Sequence, residues 1–340
     1  MYIVKQIDNI SEWESFLKSQ QYTPMTQSWK YGEFYKKLNE NFWIFGVYEE
    51  EKLVAGALVL STHARRGNFL YIPYGPIITK DEKNILKLFT EYIVGFAKKE
   101  KYSFIRVSPF IDANQEHLAT FQEAGYRNAP IHVLAENTWL LDITPSENDL
   151  LMAMNKNHRN LIRRCEKEGV RIEKKTHVQD LDMLDKLLDH TAQKHSFHRF
   201  PSKYIKEEFK PFEKDNEVCV YNAYLPDGTL DASAVIYFYG NMAAYRHSAS
   251  LNIDKKLPTS YLIQWNVIQD AKKRGLKWYN FWGIAPEHAD KTHPFFGITH
   301  FKKGFGGVNK DVLHAQDFVV SPGYWFNWGI ETFRRKKRGF

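Results

Sequence analysis

Leu53-Val-Ala-Gly-Ala-Leu-Val59 and Leu230-Asp-Ala-Ser-Ala-Val-Ile236 are two versions of one phrase, and their surroundings match as well. Each follows a run carrying a tyrosine, Tyr48 or Tyr224, and then a polar turn, Glu49 to Lys52 or Pro226-Asp-Gly-Thr229. Apolar runs on both sides of such a turn predict a β-hairpin. Farther along, Ala97-Lys-Lys-Glu-Lys-Tyr-Ser-Phe-Ile-Arg-Val107 parallels Ala271-Lys-Lys-Arg-Gly-Leu-Lys-Trp-Tyr-Asn-Phe281, and in both a helix end runs into an apolar strand. A supersecondary unit that recurs in the same order is a stronger guide to architecture than local propensity.

The helix ahead of the first of these strands carries Ile85, Leu88, Phe89, Tyr92, Ile93 and Phe96 on one face, and its counterpart uses Tyr261, Leu262, Trp265, Ile268 and Ala271. Earlier helical patterns, around Trp13-Phe16-Leu17 and around Leu181, Leu184, Leu187 and Leu188, precede the hairpins. The shared order of helix, hairpin, helix and strand predicts an α+β fold of two tandem GNAT-like domains, each a mixed sheet flanked by helices. The Thr144-Pro-Ser146 stop places the boundary, giving domains at 1–145 and 146–316, with 317–340 expected to pack back on the first.

With 43% hydrophobic and 26% charged residues over 340 positions, the chain reads as globular and too long for one ordinary core. Its start carries no secretory leader pattern and no window reaches the roughly 20 apolar residues of a membrane span, so the expected location is cytoplasmic. Cys165 and Cys219 lack CxxC spacing, which argues against a disulfide framework or a cysteine zinc site. A net charge of +7 and a pI near 9.0 favour polyanionic partners. Part of that charge sits in Arg334-Arg-Lys-Lys-Arg338, a tail suited to RNA or a membrane surface. A helix from Leu151 to Lys167 should bury Leu151, Met154, His158, Ile162 and Cys165, while Lys156, Arg159, Arg163 and Lys167 line an anion-binding face before Gly169 ends it.

Phe295-Phe-Gly-Ile-Thr-His-Phe-Lys-Lys-Gly-Phe-Gly-Gly-Val308 joins a basic pair to closely spaced glycines. By composition it is a glycine-rich turn between strands. Yet His300-Phe-Lys-Lys-Gly-Phe-Gly-Gly307 resembles the FK-x-GF-G segment of the FemABX family, and other segments resemble that family in the expected order. These are Gln27-Ser-Trp29 with Lys36, Tyr71-Ile-Pro-Tyr-Gly-Pro76, Phe104-Ile-Arg-Val-Ser-Pro109, Asn157 to Val170, Tyr245-Arg-His-Ser-Ala-Ser250 and Tyr279-Asn-Phe-Trp-Gly-Ile284. The resemblance spans nearly the whole chain, and the family's tandem GNAT-like fold agrees with the internal repeat.

The resemblance implies transfer of an amino acid from aminoacyl-tRNA to the peptide-stem amine of a peptidoglycan precursor, either UDP-MurNAc-peptide or lipid II. The chain would be a monomer, in the cytoplasm or peripheral at the inner face of the membrane. Because the ester is already activated, the enzyme must supply proximity, loss of the ammonium proton and stabilisation of the oxyanion, with no cofactor and no metal. It further implies Lys302 and Phe301 as catalytic residues and Lys36, Arg199, Tyr204 and Tyr245 as substrate-binding ones, with Lys156, Arg159, Arg163 and Lys167 meeting tRNA. One departure stands out: family members often carry an acid where this chain has Ser108, and serine alone is no general base.

Two other readings fit the sequence. An N-acyltransferase using acyl-CoA could share the fold, but neither main helix opens with a complete pyrophosphate loop, and Arg65-Arg-Gly67 is the nearest fragment. A non-catalytic RNA-binding protein would use the basic helix and tail, yet leaves the paired domains without a purpose.

Overall fold

The computed structural model describes residues 1–64, 67–195, 199–291, 293 and 295–338. Arg65-Arg66, the Phe197-His198 part of the segment before Tyr204, and the side chains of Lys337 and Arg338 in the basic tail lie outside the described residues. The chain divides into a first unit of Met1–Gln20, Pro24–Glu136 and Asp311–Phe340 and a second of Gln21–Thr23 and Asn137–Lys310.

The first unit opens with β1 (Tyr2–Gln6), α1 (Ile10–Lys18) and α2 (Trp29–Lys37). Strands β2 (Phe42–Glu49), β3 (Lys52–Ala64), β4 (Gly67–Pro73) and β5 (Ile77–Ile78) follow, then α3 (Glu82–Lys99), β6 (Phe104–Ser108), α4 (Gln115–Glu123) and β7 (Arg127–Asn128). The second runs through β8 (Asn137–Asp142), α5 (Glu147–Ala153), α6 (Lys156–Lys167), β9 (Arg171–Lys175), α7 (Leu181–His195) and α8 (Ser202–Glu213). It continues with β10 (Val218–Tyr224), β11 (Leu230–Tyr239), β12 (Met242–Ser250), α9 (Thr259–Lys273), β13 (Trp278–Gly283), α10 (Phe296–Lys303) and β14 (Val308–Asp311). The chain then re-enters the first unit as β15 (Gln316–Val319) and α11 (Tyr324–Arg338).

Both repeated phrases are the second strand of an antiparallel pair, with Phe45 opposite Ala57 in β2/β3 and Val220 opposite Val235 in β10/β11. In each unit a third antiparallel strand, β4 or β12, then pairs in parallel with the strand reached through the long helix, as Leu70 with Ile105 and Ala243 with Tyr279. A parallel neighbour requires such a crossover, which explains why the helix-to-strand segments repeat along with the hairpins. The sheet orders are β1-β2-β3-β4-β6-β15-β7, with β5 beside β3, and β14-β8-β13-β12-β11-β10-β9. The apolar faces of α3 and α9 close the two cores, burying Ile85, Phe89 and Ile93 in one and Leu262, Trp265 and Ile268 in the other. The fold is therefore α+β, with two mixed sheets flanked by helices.

Three local expectations need correction. The division falls at Glu136/Asn137 rather than after residue 145, because β8 pairs with β13, Leu141 opposite Tyr279, and so belongs to the second sheet. The Thr144-Pro-Ser146 stop instead introduces α5, whose N-terminus Ser146 caps by accepting from the Asp149 amide. The single helix expected from Leu151 to Lys167 is two, because Met154 turns extended (ψ 155°) between α5 and α6. Lastly, His300-Phe-Lys-Lys303 is the last turn of α10 rather than part of a turn between two strands, and the glycines that follow link that helix to β14.

Two motif segments of the first unit have a packing explanation. Gln27 is buried, and its amide group donates to Pro73 O (2.5 Å) and accepts from the Leu58 amide (2.8 Å). A Cβ at Gly75 would lie 2.8 Å from Gln27 Nε2, so the glutamine and the Tyr71–Pro76 segment fit each other backbone to side chain. The returning chain is tied in by charge. Arg106 of β6, 1% exposed, donates to both carboxylate oxygens of Asp317 (2.7 and 2.8 Å) and of Glu331 (3.2 and 2.8 Å).

Candidate functional site

Lys302 is a buried ionisable group of the second unit. It sits in the last turn of α10, 4% exposed, with Nζ donating to Gly283 O at 2.5 Å and lying 5.8 Å from the ring centre of Tyr245. Burial pushes its amine down to about 7, because little nearby replaces the water that would stabilise the charged form. A lysine so placed carries a proton for part of the time near neutral pH and can give it up or take it back. The receiving carbonyl is exposed to it by a local distortion of β13. Trp282 has φ +65° and its amide bonds the Asn280 side chain (2.7 Å), and the register with β8 slips between Asn280 and Gly283.

Phe301, the residue before, holds α10 against α6. Its carbonyl accepts from His158 Nε2 (2.9 Å), and its ring meets Tyr261 and Phe305 edge-on. Desolvation lowers the His158 pKa, so the ring is a neutral donor wedged between aromatic rings. Gly304 completes this junction, since a Cβ there would penetrate the buried His158 imidazole. Gly304→Ala is accordingly expected to cost about 1–3 kcal/mol of stability by overpacking, read as a lower urea midpoint at unchanged m. Gly307, at φ +99°, passes so close to Leu140 O that a side chain would collide with the backbone of β8. Both glycines are thus accounted for by packing. Lys303 points elsewhere, exposed, with its ammonium 5.3 Å from the Trp139 ring.

Phe301 and Tyr245 also line a pocket of about 240 Å³ between α9, α10 and strands β11 and β12, together with Ser248, Ser250, Gln264 and Ile298. Burial raises the Tyr245 phenol to about 12, keeping it neutral. Gln264 is fully buried; its Oε1 accepts from Tyr279 Oη (2.6 Å), whereas its Nε2 and Ser250 Oγ have no hydrogen-bond partner among the described residues. Both groups belong to residues that line the pocket, where they are available to hydrogen-bond an acceptor.

A second buried cluster lies at α8 and β12. Glu208 accepts from Arg246 (3.2 and 3.0 Å) and binds His247 Nε2 (2.5 Å). Burial alone would raise the Glu208 carboxyl, but Arg246 and His247 outweigh it and hold the value at about 2. Arg246 also faces the Trp282 ring at 4.7 Å, which links this cluster to the strand that carries Gly283. Sequence reading passed over Glu208 because Glu207-Glu208 looks like solvated helix surface; only the side on which it lies distinguishes it.

The other expected residues are dispersed. Tyr204, on α8, stacks on Phe200 (4.7 Å), which meets His247 edge-on. The Arg199 fork is already engaged by Asp189 (2.7 Å) and Asp185 (3.0 Å), so it braces the α7–α8 connection. Lys36 is exposed at the end of α2 in the first unit, 4.9 Å from the Phe42 ring. On α6, Lys156, Arg163 and Lys167 are exposed, but Arg159 turns back to donate to the carbonyls of Met152 (2.8 Å) and Met154 (2.5 Å), closing the end of α5. Ser108 is buried in β6 and accepts from Tyr71 Oη at 3.3 Å.

Comparison with known proteins fits this architecture. A lipid II:glycine glycyltransferase of Staphylococcus epidermidis is 17% identical over 320 residues, spanning 74% of this chain and 76% of that one. The aminoacyltransferase FemA of the same species is 32% identical over a shorter stretch of 87 residues, 25% of this chain and 18% of that one. Among solved structures, the crystal structure of FemX superposes with a TM-score of 0.86 at 16% identity, covering 97% of this chain and all (100%) of that one. A tandem GNAT protein from the clavulanic acid biosynthesis pathway gives 0.57 at 9% identity, covering 95% and 99%, which shows the tandem GNAT fold. The model of the FemAB family matches residues 9–227 and 224–325, so both repeats and the Lys302 segment lie inside it, and the chain belongs to that family.

Proposed function

We propose that this chain is an aminoacyltransferase that moves an amino acid from aminoacyl-tRNA to the peptide-stem amine of a peptidoglycan precursor. The observation that carries the reading is a buried lysine, with its pKa brought to about 7, beside a small pocket in a chain of this family. The relatives named as lipid II:glycine glycyltransferases support the precursor as acceptor class.

The chemistry asked of the site is modest. The stem amine attacks the ester carbonyl, a C–N bond forms, the C–O bond to the ribose breaks, and the ammonium proton ends on the departing ribose oxygen. Lys302 in its charged form stabilises the oxyanion and relays that proton, giving its own to the leaving oxygen and taking the ammonium proton in return. Phe301 and Tyr245 shape the acyl site and exclude water. Lys36 binds precursor phosphate, and the exposed Lys156, Arg163 and Lys167 meet the tRNA backbone. Arg199 and Tyr204 act on the acceptor side, Arg199 chiefly by holding the α7–α8 connection.

Incubation with a mixture of charged tRNAs and either UDP-MurNAc-peptide or lipid II, followed by mass spectrometry of the peptide stem, tests the proposal directly. A stem extended by one residue only when charged tRNA is present supports it; acyl transfer from acyl-CoA without tRNA would overturn it. Lys36→Met is expected to raise KM for the precursor about tenfold with kcat little changed, as loss of a phosphate contact weakens ground-state and transition-state binding alike. Wild-type precursor kinetics in that variant would remove Lys36 from the site.

A further inference from the structure

Strand β12 changes register at a single residue. Its partners on β11 run from Val235 opposite His247 to Ile236 opposite Tyr245, so Arg246 is an extra residue in the ladder, a β-bulge. Successive strand residues ordinarily point to opposite faces. Here the bulge turns Arg246 and His247 to the same side, where both meet Glu208 of α8, Arg246 at 3.2 and 3.0 Å and His247 at 2.5 Å. The side chains of Arg246 and Glu208 are 7% and 0% exposed, so the pair is buried as a unit. Tyr245 stays in the core closed by α9, with its ring beside Lys302.

The parallel ladder of β12 with β13 runs only from Met242 opposite Trp278 to Ala244 opposite Asn280. Past its end, Lys302 donates to Gly283 O. The turn that presents this carbonyl is strained, because Trp282 (φ +65°) sits in the left-handed region that a bulky residue rarely adopts. Such a conformation persists only where its surroundings over-determine it. Here the Trp282 amide donates to the Asn280 side chain (2.7 Å), and the Arg246 guanidinium lies over the indole ring at 4.7 Å. The structure assigns Arg246, oriented by Glu208, as a positioning residue for Lys302: by stacking on Trp282 it fixes the turn that aims Gly283 O at the Lys302 amine. The assignment builds on the transferase reading of Lys302. Arg246 acts through the backbone and not through its charge, which Glu208 balances, and burial is what lowers the Lys302 pKa. The other titratable groups around α10 do not compete for this role. Tyr245 is neutral, His158 is a neutral donor to Phe301 O, His247 faces Glu208, and His300 and Lys303 are exposed.

The test reads Lys302 directly. In the full chain with isotope-labelled lysine, the Lys302 Cε resonance is assigned by its loss in Lys302→Met and then followed against pH. Trp282→Leu removes the ring and alters no charge; it is expected to lower the Lys302 midpoint by about one pH unit, because an ammonium that loses its acceptor is harder to keep charged. Trp282→Phe keeps a ring under the guanidinium and should hold the wild-type midpoint. Trp282 is half-buried, so these two variants leave the Glu208 cluster in place. Arg246→Met combined with Glu208→Gln removes the buried pair without stranding a charge and should give the same shift. Adding Trp282→Leu to that variant should move the midpoint no further, as expected of residues that act through one another. Transfer in a single turnover at pH 7 should fall about fivefold in each shifted variant, since Lys302 goes from about half charged to about a tenth, while KM for the precursor holds. An unmoved midpoint in Trp282→Leu overturns the inference, as do shifts that add. A midpoint that rises toward that of an ordinary lysine also overturns it, because Arg246 and Trp282 would then only keep water out. A lowered midpoint with unchanged transfer would keep the positioning role and sink the catalytic reading of Lys302 instead.

Discussion

Replacing Lys302 with methionine is expected to lower single-turnover transfer from pre-bound charged tRNA by about 10²- to 10³-fold, equivalent to roughly 3–4 kcal/mol. Methionine keeps much of the aliphatic stem within the same buried space and removes the amine, so packing of α10 should survive. Stability is a useful control. The folded-state pKa of Lys302 is lowered from 10.5 to about 7, so between those values the unfolded chain holds a proton that the native state does not. Stability should therefore rise with pH across that window in the wild type, and this contribution should be absent in Lys302→Met. The variant is expected to be at least as stable as wild type at pH 7, which separates a chemical loss from unfolding. Wild-type transfer should also decline as pH rises through about 7, where Lys302 loses its charge, and the variant should lack that limb. Lys303→Met, in an exposed neighbour directed at Trp139, should retain near wild-type rate. A Lys302→Met enzyme reacting as fast as wild type would reduce the residue to a helix-end lysine bonded to a carbonyl.

The second large effect is on stability and belongs to the first unit. Arg106→Met is expected to cost about 3–5 kcal/mol at neutral pH, because it leaves Asp317 and Glu331 side by side with their shared cation gone. Even with Arg106 present, burial raises the Asp317 carboxyl above its ordinary value, and Glu331 adds to that, while Arg106 opposes both. A carboxyl raised on folding contributes stability at pH below its unfolded value, and this is lost as pH rises through its folded value. In the variant that folded value should climb further, so the deficit against wild type should shrink on acidification. Chemical denaturation of both proteins across the acidic range checks the sign. Because Asp317 lies on β15 and Glu331 on α11, protease should cut the variant first after residue 311, as this returning segment loosens. An equal deficit at every pH would mean that lost packing, rather than unshared charge, sets the cost.

The architecture was legible because each half must solve the same covalent problem. A hairpin needs a polar turn between apolar runs, and a parallel strand needs a crossover helix, so the copies around Leu53 and Leu230 and around Ala97 and Ala271 specify two mixed sheets. Local signals set helix faces equally well, as Ile85 through Ile93 and Leu262 through Ile268 show. Sequence also singled out Lys302 through the segment that contains it, but misjudged its conformation, since a glycine-rich stretch with two lysines suits either a loop or a helix end. What remained for the tertiary structure were properties created by residues far apart in the chain. Burial by α10, β12 and β13 gives Lys302 its lowered pKa. Thirty-nine positions separate Glu208 from His247, and 225 separate Arg106 from Glu331, so no local pattern encodes either partnership. The same holds for Arg199, whose fork is engaged by Asp189 and Asp185, 10 and 14 positions away. Periodicity is written into consecutive residues by backbone geometry, whereas desolvation and charge pairing depend on which surfaces meet after the chain has folded.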